Sequence, residues 1–230
     1  MKRAKYWALA ASVVLGLSTI AAEAQGPGLI SSCQTITQPG SYFLITNLTA
    51  TGAGDCLTIQ ANFVTLDLSG FVIAGNGTGS GIAATSTSFH DVTVRNGTVT
   101  NFSIGVRFKS LRNATVERLR VIGNSNGGIL IQEPGATVKD SLATDNGGFG
   151  IDVFLGAPSL VTGNVARNNS TGIITGPGTS VIGNSVGANT GAGISVSCPS
   201  LVLGNTVTSN GLPVVIAGVG CVTDHNVLGP

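Results

Sequence analysis

Residues 150–194 read GIDVFLGAPSLVTGNVARNNSTGIITGPGTSVIGNSVGANTGAGI, a stretch in which one phrase is restated twice with small changes. Its Gly-Ile step at Gly150-Ile151 returns at Gly172-Ile173 and at Gly193-Ile194. Working outward, the same step stands at Gly81-Ile82, Gly105-Val106 and Gly128-Ile129, so the six steps fall at intervals of 24, 23, 22, 22 and 21 residues. A fixed period in this range marks stacked supersecondary units. Two further columns keep the beat. One is apolar: Leu66, Val94, Val116, Val138, Val161, Ile182 and Leu203. The other is Asn76, Asn101, Asn124, Asn146, Asn169, Asn189 and Asn210, with a partial second Asn column at Asn164, Asn184, Asn205 and Asn226.

Short β-branched alternations such as Val92-Thr93-Val94 and Ile194-Ser195-Val196 fill each repeat between clusters of Gly, Asn, Ser and Thr. Leucine-rich repeats share the period but need several Leu per repeat, where this chain uses Val, Ile, Gly and Thr. The six-residue beat of a left-handed β-helix is absent. The pattern predicts an all-β fold, a single-stranded right-handed parallel β-helix (a solenoid) of about seven to eight coils. Equivalent positions in successive coils would then stack about 4.8 Å apart. Stacked aliphatics fill the interior, and stacked Asn side chains satisfy polar groups at tight turns. The Asn column is therefore read as structural.

Lys2, Arg3 and Lys5, the apolar run from Trp7 to Ile20 and the small-residue site Ala22-Glu23-Ala24 read as a signal peptide over 1–24. The apolar run is shorter than the roughly 20 residues a bilayer span needs. The expected β-helix domain is 25–230, with an N-terminal cap and first coil at 25–55 and stacked repeats over 56–230; the expected location is secreted or periplasmic. Beyond residue 24 the chain keeps 11 − 3 = 8 basic and 10 − 1 = 9 acidic residues, a net charge of −1. That balance, with no basic run, gives no footprint for nucleic acid or anionic lipid. Cys33 and Cys56, like Cys198 and Cys221, are 23 residues apart, one turn of the repeat. In an exported chain this favours two disulfides between neighbouring coils over a zinc site. Each closure is worth roughly 3 kcal/mol in the chain-entropy model.

The Gly-Ile steps, the Asn columns and the opening run Pro39-Gly40-Ser41-Tyr42-Phe43-Leu44 leading to Val64-Thr65-Leu66-Asp67-Leu68-Ser69-Gly70 resemble the right-handed parallel β-helix repeat proteins of the pectin-lyase-like superfamily. The resemblance spans nearly the whole chain after residue 24. It implies a fold and leaves the activity open, because that superfamily includes polysaccharide lyases, hydrolases and epimerases, phage tailspikes, adhesins and non-catalytic carbohydrate-associated modules.

Polysaccharide-cleaving members imply a carboxylate cluster, often with calcium, beside a basic residue. No Asp-Asp or Asp-Pro-His motif occurs here. Asp67, Arg95, Glu117 and Lys139 each follow an apolar core position with alternating sign, as expected of a surface ladder of opposite charges. Arg107, Lys109, Gln132 and Asp152 follow the Gly-apolar steps at outward positions, in the column that Ile174, Ser195 and Ile216 continue. They form a candidate substrate-binding set, with Arg107 and Asp152 two coils, or roughly 10 Å, apart. Alternation turns Phe108 inward and Phe154 outward as a stacking platform. His90 and His225 are the only histidines and have no metal or triad partners at suitable spacing. The outward Thr65, Thr93, Thr115 and Thr137 lie two residues from the charged ladder, which spoils a flat ice-matching face.

The expected function is an exported, non-catalytic module that binds a glycan or cell-envelope surface, or is structural, with no catalytic residue, metal or cofactor assigned. The alternative is a lyase or epimerase acting on an acidic polysaccharide, for which calcium is an expected cofactor and Asp140, Asp145 or Asp152 with Arg107 or Lys109 the expected groups. A third reading is self-association through an open coil edge after the last strand.

Overall fold

The computed structural model describes residues 28–84, 89–109, 111–154 and 158–229. The expected signal peptide lies outside them. The described residues form parallel strands stacked in register, a solenoid with one nine-stranded and one seventeen-stranded sheet. One coil shows the plan. Ser159–Thr162 and Val165–Arg167 form two flanks of the larger sheet, and Thr171–Thr175 belongs to the nine-stranded face. Tight corners at 163–164 and 168–169 separate the three segments.

Inward side chains stack into one core. On the first flank, Leu66, Val94, Val116, Val138, Val161, Val181 and Val202 are in register and fully buried. The column expected from the sequence is thus one residue out of phase at its end, since Ile182 and Leu203 face outward. Both sides of the last coils carry aliphatics, so no polar alternation marks the phase there. The glycine steps have a packing cause. A Cβ on Gly105 would lie 2.3 Å from Val121 Cγ1, and one on Gly172 would lie 2.5 Å from the Gly193 carbonyl oxygen. The main chain of one coil occupies the space that a side chain in the previous coil would need.

At the corner before the nine-stranded face, Asn124, Asn146, Asn169 and Asn189 each donate Nδ2–H to Oδ1 of the Asn in the next coil, at 2.8–3.1 Å. The same Oδ1 accepts the main-chain N–H of the preceding Asn. Asn164, Asn184, Asn205 and Asn226 repeat this pattern at the other corner, and Ser141 joins it by donating its main-chain N–H to Asn164 Oδ1.

Asn76 and Asn101 are not members of the ladder, contrary to expectation. Asn101 takes the left-handed corner conformation at φ 58°, the position held later by Gly123, Asp145 and Asn168, and buried Phe102 occupies the ladder slot. Asn76 closes its own exposed turn through Gly52 O and Thr78. The early coils differ in length from the later ones, so counting at a constant period lands one residue short.

Both disulfides join neighbouring coils as expected, Cys33 to Cys56 and Cys198 to Cys221, with Cα atoms 4.5 and 5.0 Å apart. Among the described residues no helix is long and apolar enough to cross a membrane.

Candidate functional site

The candidate side chains project from consecutive strands of the nine-stranded face, whose pleat turns alternate residues outward. Arg107, Leu130, Asp152, Ile174, Ser195 and Val215 share one outward column. Val215 stands where Ile216 was expected, and Ile216 pairs with inward Val196 instead. The coil holding Pro213 is 20 residues long at this column, one fewer than the step before. Lys109 pairs with Gln132 two residues further along. Phe154 follows Val153, the partner of Ile131, and so stands next to Gln132 in that second column. Phe108 is fully buried, whereas Phe154 is 49% exposed.

The register puts Arg107 and Asp152 two coils apart, but the two do not flank a common space. Leu130, only 7% exposed, stands between them. The Arg107 guanidinium turns the other way, where Nη2 donates to both carboxylate oxygens of Asp55 at 3.1 and 3.0 Å. Asp55 is held in place by the Ser80 N–H at 2.8 Å. The intervening residue on that side is Ala83, which leaves room for the long side chain to reach its counter-charge. Sequence reasoning missed Asp55 as the partner, and a separation of 52 residues, a little over two turns, was the signal that could have found it.

Asp152 is the chemically distinctive member. Burial raises its carboxyl from 3.8 to about 6, and Oδ1 has no hydrogen-bond partner among the described residues. A carboxyl in this range exchanges a proton readily near neutral pH. The other carboxylates expected to matter are placed apart. Asp145 accepts from Asn168 Nδ2 at a corner, and Asp140 occupies the opposite corner in the left-handed region.

On the first flank, Asp67 accepts from Arg95 Nε at 2.9 Å, while Glu117 accepts from Lys139 Nζ at 2.9 Å and Arg118 Nη2 at 2.6 Å. The hydrogen bond from Lys139 leads in holding the Glu117 carboxyl below its usual range. His90 and His225 contact only their neighbours Asp91 and Asp224. Among the described residues no group of three or more His, Cys, Asp or Glu is arranged to hold a metal ion.

The fold and this outward-facing set define a parallel β-solenoid that displays side chains on flat faces. A family model described as "Right handed beta helix region" matches residues 36–186 and 80–227, and the chain belongs to that family. No curated protein matches it.

Among solved structures, it is similar to the enzymatically active domain of tailspike protein 2 of bacteriophage CBA120, with a TM-score of 0.64 and 16% identity over 84% of this chain and 38% of that one. It is also similar to the A-module of the mannuronan C-5 epimerase AlgE4 of Azotobacter vinelandii, with a TM-score of 0.57 and 20% identity over 77% of this chain and 65% of that one. The chain thus spans less than two thirds of either. At these identities the likeness is one of fold.

Proposed function

We propose that the protein is an exported, non-catalytic module that binds a glycan along the nine-stranded face, using Lys109, Gln132 and Phe154 with Asp152 beside them. The carrying observation is the second outward column, which sets a cationic amine, an amide and a half-exposed aromatic ring on successive strands. That sequence of groups suits a chain of sugars: the ring stacks on a C–H face, and the amine and amide bond to hydroxyls. Arg107 serves this face structurally, by neutralising Asp55. The two disulfides fit an extracellular or periplasmic setting.

Titration against a panel of soluble polysaccharides tests the reading. Micromolar binding to at least one, weakened about tenfold or more in a Lys109→Ala, Gln132→Ala, Phe154→Ala triple variant, supports it. No binding across neutral and acidic members of the panel would defeat it.

Asp152 favours a second reading, a lyase or epimerase for which this carboxyl transfers a proton, in keeping with the fold likeness to an epimerase. Absorbance from unsaturated uronate ends, produced with or without calcium and lost in Asp152→Asn, would support lyase chemistry. Proton exchange from solvent water into C-5 of mannuronan would do the same for epimerisation.

A further inference from the structure

The second flank of the larger sheet carries charge differently from the rest of the molecule. One of its outward columns runs from Thr98 through Arg120 and Val165 to Thr206, and the other from Thr100 through Arg167 and Gly187 to Thr208. Neither column contains an acidic residue. Elsewhere the outward arginines and lysine of the sheet faces are matched: Arg95 by Asp67, Lys139 by Glu117, Arg107 by Asp55. Arg120 and Arg167 are exposed and form no ion pair among the described residues. The nearest corner carboxylate in sequence, Asp145, is occupied on both oxygens by Asn168 Nδ2 at 3.0 Å and Thr144 Oγ1 at 3.2 Å; Asp140 stands at the other corner of that coil.

Below Arg167 the surface opens into a groove of about 290 Å³, lined by Val165, Arg167, Ser185, Gly187, Thr208 and Ser209, with Ala188 at its edge. The groove exists because Gly187 lies between Arg167 and Thr208 in the column and supplies no side chain. One end is therefore a free guanidinium, the far side is lined with hydroxyls, and Val165 gives an aliphatic wall.

We propose that this groove binds an anionic glycan, carboxylate- or sulfate-bearing, laid along the solenoid axis with Arg167 as the anion contact. A guanidinium presents a planar fork that bonds such anions through two parallel N–H donors. Ser185, Thr208 and Ser209 can each donate to or accept from sugar hydroxyls. Arg120 heads the column two coils above Val165, roughly 10 Å away, and meets a second anionic group further along the same strand of sugars. Nucleic acid fits less well, because two cations make a weak electrostatic footprint and neither column offers an aromatic ring for a base to stack on. The proposal does not rest on the nine-stranded face, which lies across an Asn-ladder corner and uses other residues.

The test is titration of the full described chain with oligogalacturonate, dextran sulfate, neutral dextran and a single-stranded oligonucleotide. At least one anionic glycan is expected to bind, more weakly at high salt, and neutral dextran is not expected to bind the groove; the responding probe tells carboxylate from sulfate recognition. Arg167→Ala should weaken that binding about tenfold or more, with Arg167→Lys intermediate. Ser185→Phe, which keeps the charge and fills the groove, should weaken it as well. Both sites are exposed, and an unchanged thermal midpoint certifies each variant as folded. The proposal is overturned if neither anionic glycan binds, if binding survives both Arg167→Ala and Ser185→Phe, or if the oligonucleotide binds as tightly as either glycan. Binding lost in Phe154→Ala but kept in Arg167→Ala would move the ligand to the nine-stranded face and also defeat it.

Discussion

Asp152 is flanked in its column by Leu130 and Ile174, and ionising it between two aliphatics carries an energetic cost. Its carboxyl titrates at about 6 in the folded chain instead of 3.8. Between those values the folded chain holds a proton that the unfolded chain has released, so stability falls as pH rises through this window. Above it the full penalty, about 2–3 kcal/mol, is present. Asp152→Asn should therefore raise the thermal midpoint by several degrees at pH 7.5 and leave it nearly unchanged at pH 3.5; an equal gain at both would show that ionisation is not the cause. Glu117 has the opposite sign. Its lowered carboxyl contributes stability that is present above the ordinary glutamate range and lost as pH falls. Lys139→Ala is expected to cost about 1 kcal/mol at pH 7, a modest figure because the lysine is partly solvated, and the cost should fade in urea titrations at low pH.

At the scale of the element, the corners hold more of the stability than their polar composition suggests. Buried Asn169 accepts two hydrogen bonds from Asn146 and donates to Asn189 and to the Ala143 carbonyl. Asn169→Ala strands several buried groups at once and should cost about 2–4 kcal/mol in chemical denaturation. Asn101→Ala, at an exposed corner with one bond to Gly75 O, should cost less than half as much. Similar costs would show that the ladder adds nothing beyond corner conformation.

The period of these corners was legible in the sequence because Gly, Asn and Val recur at nearly constant spacing. Phase was less so. Hydrogen-bonded partners in successive coils are as few as 20 and as many as 28 residues apart, so a column followed by counting slips by one, as it did at Asn101, Ile182 and Ile216. The direction a long side chain takes was not legible either. Arg107 had Asp152 two coils to one side and Asp55 two coils to the other, and small residues on the Asp55 side decided the pairing. The cationic flank escaped notice for a related reason: Arg120 and Arg167 are 47 residues apart and meet on one surface only after two coils are stacked.

For the whole molecule, stability is a sum of coil-to-coil terms, and the disulfides fasten one neighbouring pair near each end of the described stack. Reduction removes closures worth roughly 3 kcal/mol each in the chain-entropy model. Hydrogen exchange should then accelerate first at Leu57–Ile59 and Leu212–Ala217, while amides of the central strands such as Ile151 stay protected. Uniform acceleration would mean that the stack melts as one cooperative block.

The ladder also has a direction, because every rung hands its protons to the coil that follows. Deleting the side chain at Asn169 takes the acceptor away from the Asn146 amide, yet the amides of Asn169 and Asn189 keep theirs on Asn189 and Asn210. A lesion in this column should therefore loosen the coil on its N-terminal side and spare the one beyond. The solenoid frays one way from a wound.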